Sequence, residues 1–168
     1  MKSKLYIFTL CCSMLLLTAC PLSTTFPLGQ KGDAEFNELL LGTWSTEASD
    51  PVVKKATISK GEEPGTAKLH VDEKGELFAA DGTDFLIWLT NLENQTFLVM
   101  QQVMDGENQP TFYAQHITIA QNILTTHDIS LLENGIDAVT SVEAYREEVK
   151  ASMKNPEFLQ EQVEWKKN

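Results

Sequence analysis

The stretch Asp84–Met104, DFLIWLTNLENQTFLVMQQVM, decides how this chain is read. Two apolar runs, DFLIWLT over 84–90 and QTFLVMQQVM over 95–104, flank the turn-forming Asn91–Asn94. Successive side chains of a strand point to opposite faces, so an unbroken apolar run suits a strand that is covered on both sides. The pair therefore predicts two antiparallel strands joined by a short turn.

The same punctuation continues on either side. Upstream, Val52–Ser59 carries β-branched residues and ends at GEEPG over 61–65; Lys68–Val71 alternates and ends at DEKG over 72–75; Leu77–Ala80 is short and ends at Asp81–Thr83. Downstream, DGENQ over 105–109 leads into Pro110–Ala120, and Gln121–Asn122 leads into Ile123–Leu132. Short runs at near-regular spacing, with hairpin-like connections and no helical pattern between them, predict a mainly β fold. It would be an antiparallel up-and-down meander, curled into a barrel or a strongly bent sheet. Closure would also remove exposed edges.

The flanks change period. Asp33–Leu41 (DAEFNELLL) predicts a short N-terminal helical turn, with Asp33 as cap and Phe36, Leu39 and Leu40 on one face. Thr140-Ser141-Val142-Glu143 reads as a capping box, and Val142, Tyr145, Val149 and Met153 mark one face of a C-terminal helix. Asn155-Pro156 then restarts the chain. Phe158, Leu159 and Val163 suit a second short helix, whereas the alternation Val163-Glu164-Trp165 suits a closing strand, and both patterns are present.

A helical turn running into Gly42-Thr43-Trp44 resembles the start of the lipocalin-like barrels. That resemblance implies that Gly42 and Trp44 form the barrel base, with a basic side chain covering the Trp. In the family this residue is usually Arg; the only Arg here is Arg146, on the predicted helix, so Lys166 or Lys167 would stand in. The family's Thr-Asp-x-Tyr-like second signature is absent, Thr126-His127-Asp128 being no substitute.

The first residues read as an address. Met1–Lys4 is basic, and Leu5–Leu17 (LYIFTLCCSMLLL) is apolar but shorter than the roughly 20 residues that cross about 30 Å of hydrocarbon. It fits a secretory signal. Leu17-Thr18-Ala19-Cys20 resembles the lipobox of bacterial lipoproteins, which implies cleavage before Cys20 and a lipid on that cysteine. Pro21, rather than Asp, after the cysteine implies the outer membrane. An uncleaved anchor or an ordinary cleavage near Cys20 is the plainer alternative. Pro21–Asp33 (PLSTTFPLGQKGD) reads as a flexible tether on the order of 20 Å in reach. The expected organisation is thus a signal over 1–19, a lipidated cysteine and tether over 20–33, and one domain over 34–168. Taken whole, the chain is similar to small envelope lipoproteins with a Gly-Thr-Trp start and a C-terminal helix.

Composition narrows the function. The formal charge is −11, and since Lys2 and Lys4 leave with the signal, 11 basic residues face 24 acidic ones in the mature chain, a net −13. Such a surface argues against nucleic acid and against adhesion to anionic headgroups. Cys11 and Cys12 fall in the signal, so with Cys20 consumed no disulfide is available. No Gly-x-Ser-x-Gly elbow, phosphate-cradling glycine loop, paired-Cys or His-Glu-x-x-His zinc motif, or EF-hand is present. The expectation is a non-enzymatic protein without cofactor.

Two candidate sites remain. If Gln121-Asn122 is a two-residue hairpin turn, His116 opposes His127, and two facing imidazoles would make half a metal site or a pH-sensitive pair. The barrel interior is the other, with Phe85, Ile87, Phe97, Val99, Phe112 and Tyr113 available to line it around a small apolar ligand or lipid. The alternative is a filled barrel that docks another envelope protein. Lys54–Lys60 (KKATISK) is the one basic cluster available to face a partner or a membrane, although edge lysines that discourage sheet pairing also account for it.

Overall fold

A computed structural model of the protein describes residues 22–48, 53–75 and 83–168. The expected strand Leu77–Ala80 and the proposed lipidation site Cys20 lie outside the described residues.

Among the described residues nine strands are formed: β1 (Ser23–Thr24), β2 (Gly42–Ser45), β3 (Val53–Lys60), β4 (Thr66–Lys74), β5 (Asp84–Leu92), β6 (Gln95–Met104), β7 (Glu107–Ala120), β8 (Ile123–Ile129) and β9 (Leu159–Lys167). Between β8 and β9 lies α1 (Val142–Ser152), the one α-helix among the described residues. Strands β2 to β9 pair antiparallel with their neighbours, and β9 pairs back onto β2 through Trp44↔Lys167 and Ser45↔Lys166, which closes an eight-stranded barrel. The predicted barrel is what forms.

Local chemistry sets the register. Leu92↔Gln95, Met104↔Glu107 and Ala120↔Ile123 each close a two-residue hairpin. Glu93, Asp105, Gly106 and Gln121 supply the positive φ that such tight turns need. Pro110 sits inside β7 rather than opening it; the register shifts between Gln101 and Val103 absorb the residue that cannot join the ladder.

One end of the barrel is shut by the Gly-x-Trp element. Trp44, 1 % exposed, donates its indole N–H to the Leu40 carbonyl at 2.7 Å. Lys167 lies over the ring with Nζ 5.3 Å from its centroid and donates to the Leu39 carbonyl at 2.9 Å, so Lys167 is the covering cation. Gly42 has φ +127, and a Cβ there would stand 2.8 Å from Lys167 Cε, so glycine is required where the cation passes. The preceding helical turn is shorter than expected: a 3-10 turn, Glu38–Leu40, capped by Asn37 instead of Asp33, with Leu39 exposed and only Leu40 buried.

A second core covers the outside of the wall. On β5, β6 and β7 the residues Trp88, Leu92, Phe97, Val99 and Ala114 pack with Tyr145 and Val149 of α1, with Phe158, and with Leu28. Leu28 is fully buried, Ser23–Thr24 pairs with Tyr113 and Phe112 of β7, and Trp88 donates to the Gly29 carbonyl at 2.9 Å. Residues 22–33 are therefore a strap packed on the barrel, not the flexible tether that their Pro- and Gly-rich composition predicts. Helix α1 is capped one residue later than expected, by Ser141, whose hydroxyl accepts from Ala144 N at 3.1 Å. The Val163–Trp165 alternation resolves as strand β9, because closure needs an eighth ladder.

Candidate functional site

The lumen is built by alternation. Phe85, Ile87 and Leu89 of β5, Leu98 and Met100 of β6, and Tyr113 and Ile117 of β7 share one cluster with Trp44, Ile58 and Leu124. This is the inner face. Of the six residues expected to line the interior, Phe85, Ile87 and Tyr113 are on it. Phe97, Val99 and Phe112 belong to the outer cluster under α1 and the strap. Their runs are apolar on both faces, so the sequence carries no mark of which phase points in.

The inner face changes character along its height. Toward the shut end, Ile87, Leu89, Leu98, Ile117 and Leu124 are buried. Toward the other end, Leu69, Met100, Tyr113 and Gln115 keep partial exposure in the middle of their strands. On a closed barrel an inward side chain at mid-strand keeps exposure only to space within the lumen, so side chains do not completely fill the lumen above its apolar floor. Its upper wall is two-sided. Leu69, Val71 and Phe85 line the arc of β4 and β5. Gln102, Gln115, Thr126 and Asp128 line the arc of β6, β7 and β8, as their registers with Phe85, Leu98 and Ile117 require. Gln115 donates to Asp128 Oδ1 at 2.8 Å, and Trp165 donates its indole N–H to Thr126 Oγ1 at 3.1 Å.

His116 and His127 face each other on β7 and β8 as the two-residue turn predicts, with ring centroids 5.8 Å apart. They project outward, away from the lumen. His116 is 9 % exposed, stacks edge-on against Phe97 at 5.6 Å, and has no hydrogen-bond partner for its buried Nδ1. Burial, and then the neighbouring charge of His127, push its pKa below the usual imidazole value. Among the described residues, no group of three or more His, Cys, Asp or Glu is placed to hold a metal ion, so the pair has no third ligand.

A cleft of about 680 Å³ opens outside the shut end, between the chain around Phe36 and Leu41 and the β3–β4 turn around Pro64. The ion pairs Lys31–Glu63 (3.1 Å) and Lys60–Glu38 (3.7 Å) border it.

Two charged residues of α1 fasten the outer layer, and nothing in the sequence marks either. Glu148, 3 % exposed, accepts from the backbone N–H groups of Glu133, Asn134 and Gly135 at 3.1, 2.9 and 3.2 Å, and from Asn134 Nδ2 at 2.9 Å. Burial opposes its charge, but these hydrogen bonds outweigh it and hold the carboxyl below its ordinary range. Arg146 donates to the Leu28 carbonyl (3.2 Å), Thr90 Oγ1 (3.1 Å) and the Asn91 carbonyl (3.0 Å), tying helix, strap and β5 together.

No family model, curated protein or solved structure matches the chain. The likeness to lipocalin-like barrels stands on the closed barrel, the shut base and the Trp44–Lys167 pair.

Proposed function

We propose that this protein is a non-catalytic binding module whose barrel lumen takes a small ligand, and that Cys20 anchors it by lipid in the bacterial outer membrane. The observation that carries the binding reading is the unfilled space that the half-buried Leu69, Met100, Tyr113 and Gln115 keep above the sealed floor of the barrel. A floor of packed apolar side chains below an accessible wall is the form of a cup, and small-molecule sites are concave, mostly apolar and furnished with a few polar groups. The anchor reading is supported by the lipobox-like Leu17–Cys20 after a short apolar run. The alternative role, docking an envelope protein, draws support from the cleft lined by Phe36, Leu41 and Pro64.

Native mass spectrometry of residues 22–168, which hold every described element, tests the first part. A discrete added mass released on denaturation is the expected result, and a bare polypeptide mass counts against a carrier. Labelling of the full chain by palmitate in cells, lost in Cys20→Ala, tests the second.

A further inference from the structure

The outer face of β7 and β8 carries a separate arrangement. His116 and His127 are directly opposed in the ladder, between the rungs Gln115↔Asp128 and Ile117↔Thr126, which fix where the two side chains start. The His116 ring stands edge-on to Phe97, and Phe97 packs in turn against Phe158. On the far side of β8 the ladder to β9 shifts between Thr126 and Asp128, so His127 has no paired residue there and keeps partial exposure. The pair is held on one side and reachable from the other.

A shared metal ion dictates how far apart two such rings stand. An ion bound in the ring plane lies about 2 Å from an imidazole nitrogen and so about 3.2 Å from the ring centroid, whichever nitrogen binds. Two rings on one ion then have centroids about 5.2 Å apart at a tetrahedral angle, about 5.5 Å at a trigonal one and about 6.4 Å when opposed. The observed 5.8 Å lies between the last two. Zinc, which takes three or four protein ligands at near-tetrahedral angles, fits neither the spacing nor the donor count, since no third His, Cys, Asp or Glu joins the pair among the described residues. Monovalent copper accepts imidazole and is satisfied by two nitrogens at a wide angle. Charge favours it as well: His116 is 9 % exposed, and the cost of burying an ion rises with the square of its charge. His116 Nδ1 is itself buried without a hydrogen-bond partner, so the fold leaves this ring incompletely used.

We propose that His116 and His127 form a two-nitrogen site for one Cu(I) ion on the outside of the barrel, each neutral ring giving one nitrogen and the side next to His127 facing solvent. The site is independent of the lumen and of the lipid anchor.

Anaerobic titration of residues 22–168, which hold every described element and no cysteine, with Cu(I) against a colorimetric Cu(I) chelator tests it. One ion should bind per chain. The ring-proton resonances of His116 and His127 should move together, while those of His70, already bonded to Asp84 at 2.6 Å, stay in place. Zn(II) at the same concentration should move none of them. His127→Asn, at the partly exposed position, should weaken Cu(I) by at least the roughly tenfold that losing a ligand's own hydrogen-bond partner costs, and His116→Phe should do the same. A metal-free spectrum as dispersed as that of the wild type shows that each variant is folded. Absence of Cu(I) binding, equal binding by wild type and His127→Asn, movement of one histidine alone, or Zn(II) bound as tightly as Cu(I) would overturn the site.

Discussion

The wall made by β5, β6 and β7 has two faces drawn from alternate residues of the same strands, and they are finished in opposite ways. Outside, Trp88, Phe97 and Val99 are sealed by α1 and the strap, with Glu148 and Arg146 as buried fasteners. Inside, the floor is sealed but Met100, Tyr113 and Gln115 remain accessible. The outer face is sealed throughout, whereas the inner face is sealed at its floor and keeps unfilled, partly polar space above it.

The comparison breaks most sharply at the large side chains. Trp88→Ala on the outer face should cost about 3–5 kcal/mol, the range for a large aromatic removed from a core. Val99→Ala, fully buried, should cost on the order of 1–3 kcal/mol, whereas Met100→Ala, its inward neighbour, should cost less because its lumen side already meets water. Urea denaturation of the three variants checks this. A cost at Met100 equal to that at Val99 would mean a filled lumen.

The strap comes next. Leu28→Ala should cost about 2–4 kcal/mol and release residues 22–33, because the side chain is fully buried and its carbonyl receives Arg146. Hydrogen exchange of Thr24 and Gly29 reads the release directly. Unchanged stability would make the strap a tether after all, with its free reach restored.

These two regions also show what the sequence could tell. The Gln121-Asn122 turn was legible, and the His116–His127 pairing followed from it; the turn at Asp105 reads too long, because the polar Glu107–Gln109 look like turn residues although they already belong to β7. The floor was legible in Gly42-Thr43-Trp44. Inside and outside were not, since in DFLIWLT and TFLVM both phases are apolar and periodicity has nothing to separate. The strap was hidden by its turn-forming composition: its order comes from one two-residue ladder, one buried leucine and an arginine 118 positions away. Asp128 and Gln115 read as ordinary strand polar residues until the closed barrel gives them a common interior.

Glu148 is the smaller fastener. Glu148→Gln keeps the shape but removes the charge that three backbone N–H groups point at, and should cost about 1–3 kcal/mol near neutrality. Because its folded pKa is lowered, the carboxylate's contribution is present above the ordinary value of 4.5 and fades as pH falls from there through its folded pKa. The difference between wild type and Glu148→Gln, measured by thermal unfolding, should therefore shrink on acidification below that value. A constant difference would mean that the loss is one of shape and not of charge.

His116 should have the smallest effect, in a different pH window. Its folded pKa is also lowered, from 6.5, but here the neutral form is the one the fold favours. Above 6.5 the imidazole is neutral in both states and costs nothing. As pH falls below 6.5 the unfolded chain takes up the proton more readily, so stability declines until the folded pKa is passed. His116→Phe keeps an edge-on ring against Phe97 and cannot titrate. The unfolding midpoint of the wild type should drop between pH 7.5 and 5.5 by more than that of the variant. The window lies well above that of Glu148, so the two titrations separate in one pH series. Equal slopes would place His116 in contact with water, and would remove the seal that the outer layer is argued to provide over that part of β7.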